Sequence, residues 1–229
     1  NYGAGYGIFQ YAGATDWKNN TIRYCISEND GNVSAGAGIL VWNGSGNSVK
    51  FQGLEFYNNV AYNDNKAVLT FYDHHNSNFN FRNNIFVSKI SNVYNRISGE
   101  NFQGNCWYTL DNNFYSDSLN FVAWVQATTQ EMLNGEIVGM YANPMLINPG
   151  NSNLTDPTIL ATINDYEVEE SSTVIDAGLD LKSLFNIEPG NQDYFGNPVK
   201  QGMAFDIGVY QYFDKQEISF TPGWNIMSI

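Results

Sequence analysis

Carboxylates are the residues of this chain with the most chemistry open to them. A closely placed pair serves as acid with nucleophile or base on a glycosidic bond. Several acidic oxygens beside an Arg or Lys base can hold calcium while a proton is abstracted. In the repetitive first half they are Asp16, Glu28, Asp30, Glu55, Asp64, Asp73, Glu100 and Asp111. Most fall in turns without a paired column, so no catalytic residue is assigned. Arg23 and Arg82 follow Ile22 and Phe81 at equivalent places, as stacked surface residues would. His74 and His75, the only histidines, are adjacent. Neighbouring strand residues point to opposite faces, which argues against a shared metal site and leaves one of them to hydrogen-bond a ligand.

Aromatic residues offer a different chemistry. Aligning the runs GIFQYAG (7–13), GILVWNG (38–44) and AVLTFYD (67–73) puts Tyr11, Trp42 and Phe71 in one column, and Ala12, Asn43 and Tyr72 in the next. Parallel strands lie about 4.8 Å apart, so one column facing water would be a flat aromatic strip. Sugar rings stack on such a strip while amides bond their hydroxyls. Two parities are open. With Ile8, Ile39 and Val68 inward, Trp42 faces out; with Phe9, Leu40 and Leu69 inward, Trp42 is core and Asn43 and Tyr72 form the outer surface. The following loops add Trp17, Asp73 and His74 on the same edge. The candidate ligand-binding set is therefore Tyr11, Trp17, Trp42, Asn43, Phe71, Tyr72, Asp73 and His74.

These residues need strands to position them, and the repeat supplies strands. A second family of runs, TIRYCIS (21–27), KFQGLEF (50–56), NFRNNIF (80–86) and NFQGNCW (101–107), alternates with the first. Its pattern is apolar, two spacers, a small or amide residue, one spacer, apolar: Phe51, Leu54, Phe56, then Phe81, Asn84, Phe86, then Phe102, Asn105, Trp107. The extra spacer predicts a corner in place of a flat strand. Two strand types at a period near thirty residues predict a stack in which each repeat buries its apolar face only against its neighbours. Asn19, Asn20, Asn58, Asn59, Asn83, Asn84, Asn112 and Asn113 fall near the turns, where asparagine tolerates left-handed backbone and can form amide ladders. Thr128 and Glu131 have capping-box spacing, which predicts a helix over TTQEMLNG with Gly135 as its stop.

The 229 residues suffice for a single core. A net charge of −13, from 10 Lys+Arg against 23 Asp+Glu, argues against a nucleic-acid or anionic-membrane partner and favours a neutral ligand. Cys25 and Cys106 lie inside apolar runs and read as free, core-like thiols. No stretch approaches the roughly 18 apolar residues of a membrane span, and no signal peptide opens the chain. Both ends read as interrupted strands, from which we expect a piece of a longer polypeptide with covalently linked neighbouring domains.

The repeats resemble the right-handed parallel β-helix proteins of the pectate-lyase-like superfamily, whose coils read much like "GIxLxx…NxIxxNxI". The segments ANPMLINPG (142–150), SSTVIDAGLDL (171–181) and DYFGNPVKQGMAFDIGVYQY (193–212) look like the end cap common in secreted bacterial members. The resemblance implies an all-β solenoid over residues 1–213 with a short helix and an irregular cap from about 114, followed by a tail at 214–229. Asp176, Asp180, Asp193 and Asp206 belong to the cap motif, as turn residues or, on a second reading, with a calcium site on Asp193. No cofactor is otherwise expected. Members of this scaffold include lyases, hydrolases, adhesins and binding modules. The chain looks most like the β-helical modules that bind xylan beside xylanases. The expectation is thus a secreted or cell-surface, non-catalytic module for a neutral plant polysaccharide, with a catalytic β-helix and a surface solenoid without a sugar ligand as alternatives.

Overall fold

The computed structural model describes residues 6–10, 16–31, 37–43, 51–72, 76–90, 92–94, 99–111, 114, 119–152, 158, 160, 163–199 and 204–213. These residues are mostly β. The first three strands are β1 (Tyr6–Gln10), β2 (Trp17–Arg23) and β3 (Ile26–Glu28), and the next three β4 (Ala37–Asn43), β5 (Phe51–Tyr57) and β6 (Val60–Asn63). They are followed by β7 (Ala67–Phe71), β8 (Asn76–Arg82) and β9 (Ile85–Ser88), then β10 (Val93–Tyr94), β11 (Glu100–Gln103) and β12 (Cys106–Thr109). Successive strands go to three different parallel sheets in rotation. The first sheet has the order β1-β4-β7-β10, the second β11-β8-β5-β2, and the third β3-β6-β9-β12 with β15 (Met140–Tyr141) at its edge.

Left-handed residues make the corner between the second and third sheets. Tyr24, Asn58, Asn83 and Gly104 directly follow the in-register residues Arg23, Tyr57, Arg82 and Gln103, and have φ of 49°, 53°, 50° and 70°. Asparagine and glycine tolerate this conformation best, which is why the sequence spends them here. The next residue of each corner turns inward. Asn59, Asn84 and Asn105 are buried and form a ladder: Asn84 Nδ2 donates to Asn105 Oδ1 at 2.9 Å, and Asn59 Nδ2 to Asn84 Oδ1 at 3.0 Å. Each Oδ1 also accepts the backbone N–H of the residue below it in the column, Cys25, Asn59 or Asn84. The buried amides are thereby satisfied, as buried polar groups must be.

Inside the three sheets the core is aromatic. Ile22, Phe56, Phe81 and Phe102 are in register, with ring centroids 5.4 Å apart for Phe56–Phe81 and 4.8 Å for Phe81–Phe102. Past the corner, Phe86 stacks on Trp107 at 4.6 Å. The steps are 34 (56−22), 25 (81−56) and 21 (102−81) residues, so Phe56, where Phe51 was expected, is the counterpart of Phe81. A bulge misled the pattern. Asn19, Gly53 and Asn78, with φ of 52°, 72° and 55°, are skipped in the pairing, so Phe51 and Leu54 both point inward despite their odd spacing.

The helix over TTQEMLNG does not form; α1 spans Phe121–Thr128, one segment upstream. Asn120 caps it by accepting the Ala123 N–H at 2.9 Å, and Thr129 ends it at φ 56°. Thr128 caps no helix, because a strand follows it; its hydroxyl donates back to the Trp124 carbonyl and accepts the Gln130 N–H. Asn134 and Gly135, both at positive φ, join the antiparallel strands β13 (Met132–Leu133) and β14 (Glu136–Ile137) as an Asn-Gly hairpin turn. Trp124 of α1 packs 6.2 Å from Phe102 and 5.8 Å from Trp107, covering the β11–β12 end of the ring stack.

The C-terminal segment is irregular, as expected, but it lies along a flank of the sheets. Leu146, Ile163, Tyr166, Val168, Val174, Ile207, Val209 and Tyr210 form one buried cluster with Val60, Tyr62, Ile85, Val87 and Cys106 of the third sheet. Corner asparagines fasten it: Asn58 Nδ2 donates to the Asp206 and Gly208 carbonyls, and Asn83 exchanges two 2.9 Å bonds with the Leu179 backbone. Both cysteines are free, but Cys25 is exposed, and burial pushes the Cys106 thiol up to about 12. Residues 214–229, the expected tail, lie outside the described residues.

Candidate functional site

Register decides which aromatic residues meet. Strand β4 pairs with β1 through Ile8↔Val41 and Phe9↔Trp42, and with β7 through Ile39↔Leu69 and Val41↔Phe71. The expected alignment of Ile39 with Val68 is therefore wrong by one residue, and that of Tyr11 with Trp42 by two. A slip of one residue exchanges the faces of a whole strand. Ile39, Val41 and Asn43 are buried and alternate with the half-buried Leu40 and Trp42, so Trp42 points outward. Phe71 does not share its column. It is 1% exposed and packs edge-on against Phe81 at 6.1 Å, whereas Tyr72, the next residue, is 54% exposed. The Tyr72 N–H donates to the Val41 carbonyl at 2.9 Å, which continues the pairing and places Tyr72 beside Trp42.

Other members of the expected set divide differently. Asn43 is buried and faces inward. Trp17 belongs to β2, not to a loop, and its ring packs on Phe51 at 5.1 Å and Phe79 at 5.7 Å as part of the core. Tyr11, Asp73 and His74 lie outside the described residues, as do His75 and Arg96. Among the described residues, Trp42 and Tyr72 are thus the two of the set that the fold brings together on a water-facing surface. The exposure is graded along the strands, because Val68 and Thr70, also on the outer face, are both buried.

The carboxylates are engaged in local networks. Glu55, Asn80 and Asn101 occupy one outward row of the second sheet, and Arg23, Tyr57, Arg82 and Gln103 the next. Glu55 accepts from Asn80 at 2.9 Å and from Arg82 at 2.5 Å, and Arg82 also donates to Gln103 at 3.1 Å. Arg82 is no open surface residue: α2 (Leu181–Phe185) lays the Phe185 ring 3.9 Å from its guanidinium carbon. Burial raises the Glu55 pKa while Arg82 and Asn80 draw it back, and burial lowers that of Arg82 against the pull of Glu55. Asp193 accepts the N–H groups of Phe195, Asn197 and Gln211, and Asp206 those of Asp176 and Tyr212. Their oxygens hold turns together.

One carboxylate, expected in a helix-capping box, has a different role. Glu131, fully buried, occupies the next place of the asparagine ladder after Asn59, Asn84 and Asn105, at steps of 25 (84−59), 21 (105−84) and 26 (131−105). Its Oε1 accepts from Asn105 Nδ2 and Trp107 Nε1, both at 2.7 Å, and its Oε2 from the Asn105 N–H at 3.1 Å. Burial pushes its pKa up to about 7, against the opposing pull of these donors. Gly139 leaves the room: a Cβ there would stand 2.3 Å from Glu131 Oε2. That ladder-like spacing was the available signal. No family model matches the chain, and no curated protein matches it.

Proposed function

We propose that the chain is a parallel β-helix of three strands per coil acting as a non-catalytic module that binds a neutral plant polysaccharide such as xylan. In this reading it belongs to a larger secreted glycan-degrading protein. The observation that carries it is the pair Trp42 and Tyr72, adjacent and outward at the C-terminal ends of the central strands β4 and β7. Two aromatic rings about one strand spacing apart offer a platform for the C–H faces of a sugar chain. The strand order, with each strand paired to the third one on, is what a β-helix requires. A charge of −13 disfavours a polyanionic glycan and leaves a neutral one.

Affinity electrophoresis against xylan, β-glucan and polygalacturonate, run with assays for reducing sugar and unsaturated product, tests this reading. Migration should be retarded by xylan and unaffected by polygalacturonate, with no product formed. Trp42→Ala should weaken retardation about tenfold, the loss of one stacking contact. Released product would overturn the non-catalytic reading, and unretarded migration in every glycan would overturn binding.

A further inference from the structure

A recess lies where the third sheet leads toward the first. Tyr62, Val87 and Tyr108 are in register on the outward face of β6, β9 and β12. Two residues later in each strand path come Asp64, Lys89 and Leu110, with the Lys89 and Leu110 N–H groups still donating to the neighbouring Asn63 and Ser88 carbonyls. Two cavities open on these rows. One of about 300 Å³ lies between Tyr62, Val87 and Tyr108 and the loop carrying Asn143 to Pro149. The other, of about 550 Å³, is bordered by Asp64, Asn65, Lys89 and Asp111, and Leu110 lines both. Either volume falls within the ~300–1,000 Å³ typical of small-ligand sites.

We infer that these two cavities, which share Leu110, together form a groove that is a second glycan site, taking a short stretch of a neutral oligosaccharide. The inference rests on the proposed glycan-binding role, although it uses none of the same residues. Its apolar floor is Tyr108 with Leu110, which is 40% exposed. Its polar lining supplies acceptors and donors: the Asp64, Asp111 and Glu169 carboxylates, the Lys89 ammonium, and the Asn65 and Asn143 amides. A sugar hydroxyl donates one hydrogen bond and accepts two, so a ring with one apolar face and a hydroxylated rim matches both features. The Asp64 oxygen Oδ2 already accepts weakly from Asn29 at 3.3 Å, which orients the carboxylate. One Lys beside Asp64, Asp111 and Glu169 leaves the groove with a net negative charge, which fits a neutral ligand better than a phosphate or uronate.

Isothermal titration of the full chain with xylohexaose tests the groove. Two sites per chain are expected in the wild type. Trp42→Ala should weaken one of them about tenfold and leave the other unchanged, and Tyr108→Ala should weaken that other site about tenfold. Lys89→Ala, on an exposed side chain, should weaken the same site and guards against a folding defect in the Tyr108 variant. A single site weakened by Trp42→Ala and untouched by both groove variants would overturn the groove while leaving the proposed function standing. A site lost with Tyr108 and Lys89 but indifferent to Trp42 would keep the groove and remove the Trp42 platform. No heat of binding in the wild type would overturn both.

Discussion

The first and third sheets are built alike, from parallel strands that alternate inward and outward residues, yet their outer faces end differently. On the third, Val60, Ile85 and Cys106 are sealed beneath the C-terminal segment, and the face opens only at its Tyr108–Leu110 end. On the first, burial gives way toward the strand ends, to Trp42 and the 54% exposed Tyr72. The corner explains the choice. Asn58 and Asn83 sit left-handed beside the third sheet and present their amides outward, where they bind the backbone at Leu179, Asp206 and Gly208. The same corner turns Asn59 and Asn84 inward into the ladder. On the third sheet the apolar outward row therefore goes with a returning segment that these amide hooks fasten.

Ile85→Asp should break the sealed face with the largest effect. Ile85 is buried, and its Cδ1 lies 2.6 Å from where a Cβ of Gly208 would stand, so there is no room for water around a new carboxylate. An unpaired buried charge should cost about 4 kcal/mol or detach the segment. Urea unfolding together with limited proteolysis of residues 163–213 measures both. A loss below about 1 kcal/mol with an intact protease pattern would show that the segment does not seal this face. Phe71→Ala, in the core of the first sheet, belongs to a similar range of about 3–5 kcal/mol.

The pH dependence comes from the interior and separates it from both faces. The Glu131 pKa rises from 4.5 in the unfolded chain to about 7 in the fold, so its contribution is fully present below about pH 4.5. It is lost as the pH climbs through 7, because the buried carboxyl must then ionise. The loss amounts to about 3 kcal/mol across that window. Urea midpoints should therefore fall from pH 5 to pH 8, and Glu131→Gln should flatten that slope at some cost in stability, since an amide NH₂ would meet an N–H donor. An unchanged slope in the variant would assign the dependence to another group.

Much of the architecture was legible because corners are written in asparagine. The inward column Phe81, Asn84, Phe86 and its neighbour Phe102, Asn105, Trp107 were read in their observed register. The second round was misread because the bulge at Gly53 lets Phe51 and Leu54 face the same way, imitating the corner pattern. In the first sheet, Val68 resembles Ile39 in shape and invites alignment with it, whereas the interior selects Leu69. The fate of Trp17 was beyond local pattern too. A Gly- and Asn-rich context suggested a loop, but stacking on Phe51 and Phe79 draws it into β2. Glu131 was assigned to a capping box with Thr128, and only the three amides before it in space reveal its place.

Tyr72→Ala should have the smallest effect on stability and is the sharpest check of register. Tyr72 follows Phe71 directly, and both are large aromatics, so composition gives no reason to treat them differently. Alternation does: Phe71 packs on Phe81 inside, and Tyr72 projects into water. Truncating an exposed ring should change stability by no more than about 0.5 kcal/mol. If the β4–β7 pairing slipped by one residue, the two costs would exchange, with Tyr72→Ala taking the loss of several kcal/mol. Urea unfolding of the two single variants decides between these registers, and a small cost at position 72 makes its ring free to meet a ligand beside Trp42.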